Sequence, residues 1–178
     1  MKPALLWHFQ SQFAHGYLPP AAPYVPVYAR CLSAVFARVQ SLGLGGIAAE
    51  SIVLREVPWA RDFTQGVLDL PGIVITPEGA ESASISAGTN RRDDIGYPIL
   101  VTLLAADNEQ SVDNLRAVLR WREVIARAFR QQRLSDVDEV IACQVENRPV
   151  IGAEAYQKGM LQSALLLRFI SREPRRSS

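Results

Sequence analysis

The spacing of apolar residues changes character along this 178-residue chain, and each change predicts an element. Over residues 27–42, Leu32, Val35, Phe36, Val39 and Leu42 recur at steps of three and four, with Arg30, Arg38 and Gln40 off that stripe. This spacing predicts an amphipathic helix. The run "GLGG" at 43–46 ends it, because glycine takes the left-handed backbone of a helix C-terminus at little cost. A phosphate-cradling glycine loop would instead follow a strand and open a helix, so the order here is wrong for one.

The β-branched runs "SIVLREV" at 51–57 and "GIVIT" at 72–76 are bounded by Pro58, Pro71 and Pro77, which punctuates strands, with a loop between them. The small, polar stretch "EGAESASISAGTN" at 78–90 predicts an extended hairpin or flap projecting from a sheet. Next comes "YPILVTLLA" at 97–105, apolar on both alternating faces apart from Thr102. A strand of that kind is covered on both sides, here by helices on one and by further packing or a partner subunit on the other.

Within 107–134, Val112, Leu115, Val118, Leu119, Ile125 and Phe129 form the expected buried stripe of a second helix, with Trp121 on its flank and Asp107, Asn108 or Ser111 as caps. Arg116, Arg120, Arg127 and Arg130 leave from other sides, and Asp113/Arg116 and Glu123/Arg127 have helix-pair spacing. Two last strands are expected at 139–146 and 160–171. Ile141, Cys143 and Val145 would share one face of the first; Leu161, Leu165, Leu167 and Phe169 one face of the second. The connection at 147–159 is long for a hairpin and gives the sheet another projecting loop.

The order helix, strand, strand, strand, helix, strand, strand predicts an α+β fold: a single antiparallel or mixed sheet of four to five strands flanked by two main helices. Four prolines from Pro19 to Pro26, interleaved with tyrosines, favour an extended path. Residues 1–27 therefore form a Pro-rich N-terminal arm, 28–171 a single domain, and 172–178 a basic C-terminal tail.

Charge alters this picture locally, not globally. Lys and Arg number 19 against 18 Asp and Glu, leaving no overall basic field for gripping nucleic acid. Residues 50–94 hold eight acids and four bases, whereas 109–133 hold six arginines and three acids, an asymmetry suited to self-association. Lys2 and Lys158 are the only lysines, so nearly all positive charge is guanidinium, which is enriched in interfaces and is also what a GC-rich genome would give. No apolar stretch reaches the roughly 18 residues of a membrane span, no signal peptide is evident, and a soluble chain is expected.

Candidate chemistry is sparse. His8 and His15 both fall in the arm, at a spacing that matches no zinc pattern. Cys31 and Cys143 lack CxxC spacing and are expected to be buried thiols in a reducing compartment. Asp136, Asp138 and Glu139 lack the glycine turn and spaced ligands of a calcium loop and suit a solvated turn better. The face from Arg116 to Arg133 could meet phosphates, but acids share that helix. Arg122 falls within the apolar stripe and is expected to snorkel at its edge, the alternative being a partner carboxylate or carbonyls. No catalytic, cofactor-binding or metal-binding residue is assigned, and the chain is not expected to be an enzyme. Arg91, Arg92, Asp93 and Asp94 are expected to form a self-balancing hinge where a projecting loop rejoins the sheet, with Gly96 and Pro98 shaping it.

The succession "LPGIVITPEG", then "GTNRRDDIGYPILVTLLAADN", the helix "NLRAVLRWREVIARAF", "VDEVIACQVENRPV" and "SALLLRFISRE" resembles the tail terminators and related neck-ring proteins of tailed bacteriophages. The resemblance covers residues 28–173 and leaves the arm unmatched. It implies a sheet flanked by helices in a homohexameric virion ring at the head–tail junction, assembled in the host cytoplasm. That ring caps the tail tube, meets tail-tube and head-closure or connector proteins, and passes DNA through its channel without reading sequence, using no cofactor and touching no membrane. Arg91, Arg92, Asp93, Asp94, Arg116, Arg120 and Arg127 are the expected subunit-interface residues. Alternatives are another neck component, such as a head-closure or tail-completion protein, a small-molecule-binding α+β domain with its site near the 78–94 loop, or a DNA-contacting accessory protein.

Overall fold

The β-branched and leucine-rich runs pair into one mixed sheet, and the amphipathic helices cover one of its faces. A computed structural model describes residues 24–55, 69–79, 81–84, 92–106, 112–148, 151–157 and 159–174. The elements are α1 (Val27–Ser41), a short 3-10 turn (Ala49–Ser51), β1 (Ile52–Leu54), β2 (Gly72–Pro77), β3 (Ser82–Ser84), β4 (Arg92–Ala106), α2 (Val112–Phe129), β5 (Val140–Asn147), α3 (Ala153–Tyr156) and β6 (Met160–Pro174). The sheet runs β1-β2-β4-β6-β5, with β3 as a short additional strand on β4. Among the described strands, only β1 and β2 pair in parallel. The fold is thus the expected α+β arrangement of two helices on a mixed sheet. The arm falls mostly outside the described residues.

β4 and β6 organise the molecule. Each has 15 residues, and they pair in register from Arg92↔Pro174 to Ala106↔Met160. At about 3.4 Å per residue the ribbon is about 50 Å long, far beyond an ordinary strand. Along one edge of β4, β2 pairs with Ile99 to Leu104 and β3 with Asp94 to Gly96. A side chain at Gly96 would start 2.6 Å from Ser82 Oγ and displace that hydroxyl, while the β3 backbone stands at an ordinary 3.6 Å. The strand begins five residues before the expected start at Tyr97, so Arg92, Asp93 and Asp94 are strand residues and not a hinge.

Strand alternation sorts the sheet. Ile73, Ile75, Ile99, Val101, Leu103, Leu165, Leu167 and Phe169 face the helices and pack with Cys31, Val35 and Val39 of α1 and Val118, Ile125 and Phe129 of α2. The rings of Phe129 and Phe169 meet edge to face at 6.1 Å, a geometry worth about 0.5–1.5 kcal/mol beyond area burial. On the opposite face Val74, Thr76, Thr102, Leu104 and Leu166 are also buried, and Val74 and Leu104 gather Val53 and Leu70. The strand rich in apolar residues on both sides is therefore covered on both along this part. Further along the same face lie charged side chains.

Two expected faces are corrected. The buried stripe of α2 is Val118, Trp121, Arg122, Ile125, Ala126 and Phe129, whereas Leu119 and Val112 are 39% and 60% exposed. Trp121 enters the core because its indole N–H reaches the carbonyl of Gly45, 2.9 Å away, and that anchor fixes the helix rotation. In β5 a bulge between Val140 and Ala142 shifts the alternation. Val140 and Cys143 both enter the core, and Ile141, expected to share their face, becomes the extra residue. Gly43 has φ +57°, the left-handed conformation expected where α1 ends.

Candidate assembly surfaces

The outer face of α2 is built by the same periodicity that builds its core face. Arg120 stands opposite the buried stripe, one turn from Arg116 and from Val124, with Arg127 about two turns along the same face and Leu119 about 100° round the helix, next to Arg116. Arg116 pairs with Asp113 at 3.2 Å and Arg127 with Glu123 at 2.6 Å, both pairs highly exposed. Such pairs contribute about 0.3–0.5 kcal/mol each to the isolated helix. Leu119 and Val124 stand exposed among them, at 39% and 38%. This surface is apolar at points and mostly cationic.

At the other end of β4, alternation separates two neighbouring aspartates that the sequence groups together. Asp94 accepts two hydrogen bonds from Arg172 on β6, at 2.8 and 3.0 Å, and that guanidinium holds its carboxyl below the usual range. Asp93 lies on the helix side of the ribbon and lines a recess of about 370 Å³. Glu81, Tyr28, Tyr97 and Glu173 line it as well. Arg92 is exposed at the first position of β4, and Arg91 lies outside the described residues. The seven expected interface residues thus separate: the three arginines of α2 lie on one surface, Asp93 lines the recess, Asp94 pairs with Arg172, Arg92 is exposed, and Arg91 is outside the described residues.

The recess is made by the start of α1 folding over the ribbon. Tyr28 stacks on Tyr97, ring centroids 5.1 Å apart and tilted by 35°, and the Tyr28 hydroxyl donates to the carbonyl of Pro98. The Tyr97 hydroxyl donates to Glu173 Oε1 at 2.6 Å, and Ser171 Oγ donates to the same oxygen at 2.6 Å. Burial first, then the bond to the Glu173 carboxylate, pushes the Tyr97 phenol well above its ordinary pKa. Both rings are therefore held neutral and in place. Sequence reasoning missed this recess because it needs β4 to begin at Arg92; with that start, Asp93, Ile95 and Tyr97 share a face.

Ion pairs decorate the opposite face of the ribbon. Arg168 donates to Glu146 at 3.1 Å and to Ser82 Oγ at 3.3 Å, and Arg148 donates to Glu78 at 3.0 Å. These link the strands flanking β4 and β6 and, being half-exposed, act more on register than on stability.

Arg122 does not snorkel. It is 8% exposed, and its guanidinium donates to Ser163 Oγ at 2.9 Å, the carbonyl of Ala164 at 2.5 Å, Asn147 Oδ1 at 3.3 Å and the carbonyl of Arg148 at 2.9 Å. All four acceptors are neutral, and burial draws its pKa below the ordinary arginine value. The group ties α2 to β6 and to the end of β5, as the carbonyl alternative required.

The other chemical candidates settle into structural roles. Glu139 pairs with Arg30 of α1 at 2.5 Å, while Asp136 and Asp138 are exposed. Cys31 and Cys143 are buried free thiols, pushed by desolvation up to about 12, too high to supply a nucleophile near neutrality. His8 and His15 lie outside the described residues. Among the described residues no three His, Cys, Asp or Glu side chains are grouped as metal ligands, and no helix is long and apolar enough to cross a membrane.

No family model matches the chain, and no curated protein does. Among solved structures, a chain of the "Virion of native gene transfer agent (GTA) particle" aligns with a TM-score of 0.49 at 11% identity, covering 80% of this chain and 94% of that one.

Proposed function

We propose that this chain is a non-enzymatic virion structural protein that assembles into a homo-oligomeric ring at the head–tail junction of a phage-type particle. The finer assignment is a tail terminator: a hexamer capping the tail tube and meeting the neck, with DNA passing through its channel. The resemblance across residues 28–173 supports this reading. The observation that carries it is the outer face of α2, where Leu119 and Val124 stand exposed beside Arg116, Arg120 and Arg127. Arginine around apolar anchors is the composition of an interface core and rim. The recess lined by Glu81, Asp93 and Glu173 is a second, separate surface on the same chain.

Native mass measurement and light scattering test the proposal. The expected result is a closed oligomer of about six copies, seen as a ring by electron microscopy. A chain that stays monomeric at high concentration, even with tail-tube or head-closure protein added, overturns it.

A further inference from the structure

We infer that two copies of the chain meet through α2 in a self-complementary contact, the helices running antiparallel with Leu119 of each against Leu119 of the other. The inference rests on the reading of the outer surface of α2 as an interface between copies, and names what meets it. Spacing is the first argument. Val112, Arg116, Leu119, Glu123, Ala126 and Arg130 recur at alternating steps of four and three, the repeat by which one helix packs along another. The apolar members Val112 and Leu119 are 60% and 39% exposed, and Arg116, Glu123 and Arg130 are exposed with them.

Charge selects the partner and its direction. Arg116 lies one turn before Leu119 and Glu123 one turn after it, so the row carries opposite charges on either side of its midpoint. Laid antiparallel about a two-fold axis beside Leu119, two such rows set Arg116 of each copy against Glu123 of the other, and the symmetry makes that ion pair twice. Val112, one turn further out, comes over Ala126 of the second copy. A parallel pair in the same register sets Arg116 against Arg116 and Glu123 against Glu123, which repel. The row therefore fits itself in one direction only.

The bonds made within the helix are compatible with this contact. Arg116 is held by Asp113 at 3.2 Å and Arg127 by Glu123 Oε1 at 2.6 Å, both between exposed side chains, where such pairs are weak. Glu123 has a second carboxylate oxygen to offer Arg116 of the second copy while it keeps Arg127. A two-fold contact closes at two copies, so a larger assembly needs a further one. Arg120 and Val124 lie on the other flank of α2, outside the paired row.

Cysteine cross-linking and a charge swap test this. Leu119→Cys is expected to give a disulfide-linked pair under mild oxidation, because the residue meets its own copy, whereas Val124→Cys is expected not to link; the native thiols Cys31 and Cys143 are buried. Arg116→Glu and Glu123→Arg are each expected to raise the concentration for half-association in sedimentation by about tenfold or more, with melting of the dilute protein close to wild type. The chain carrying both substitutions is expected to recover most of the association, the pair being restored with its polarity reversed. If Leu119→Cys links no better than Val124→Cys, or the double charge variant recovers nothing, the contact is overturned, and a ring seen in the wild type then stands without it. A wild type that stops at linkable pairs supports the contact and overturns the ring. One that stays monomeric at high concentration overturns both.

Discussion

Arg122 illustrates how one residue's context reverses the usual expectation for a charged side chain in an apolar stripe. The guanidinium stays charged because arginine titrates far above neutrality. Its cost of burial is offset by four hydrogen bonds to neutral oxygens. Removing it strands two backbone carbonyls and the Asn147 carboxamide away from their donor. Arg122→Ala is therefore expected to destabilise the chain by about 2–4 kcal/mol in urea unfolding. Arg122→Lys should recover only part of this, since an ammonium cannot span all four acceptors. A loss below about 0.5 kcal/mol for the alanine variant would show that the network is idle. Sequence identified this position as anomalous but could not find its acceptors, because Ser163 and Ala164 are 41 and 42 residues away.

At the scale of elements, α1 is held to the sheet by apolar packing along Cys31, Val35 and Val39 and by the Arg30–Glu139 pair near its start. The hydrogen bond from Arg30, its largest cause, holds the Glu139 carboxyl below its ordinary value. In an unfolded chain that carboxyl titrates near 4.3. The folded value being the lower, the stabilisation is complete above about pH 4.3 and disappears as pH falls through the depressed folded value. Glu139→Gln should therefore lower the unfolding midpoint at pH 7 and flatten its fall on acidification, relative to the wild type. Parallel acid limbs in the two proteins would remove the pair from this role. Helix and strand identities were legible from the sequence because periods of 3.6 and 2 are local. Their rotations were not: the Trp121 bond to Gly45 turns α2, and the bulge at Val140 turns the start of β5.

At the scale of the molecule, one helix layer leaves the outer face of α2 uncovered among the described residues. Leu119→Ser combined with Val124→Ser should change folding stability by no more than about 0.5 kcal/mol, since exposed positions rarely matter more. The same double variant should weaken assembly in light scattering. A fall in melting temperature with assembly intact would return these residues to the fold. The amino-acid sequence by itself determined the α+β class, the two helices, the apolar strand at 97–105 and the arginine-rich face of α2, because patterns within a window of about a dozen residues carry them. Only the tertiary structure decided that β4 starts at Arg92 and that Asp93 and Asp94 part to opposite faces. It alone joined Tyr28, Glu81, Asp93, Tyr97 and Glu173 into one recess. Those outcomes depend on pairing between strands far apart in the chain, where register, not local preference, sets which side chains meet.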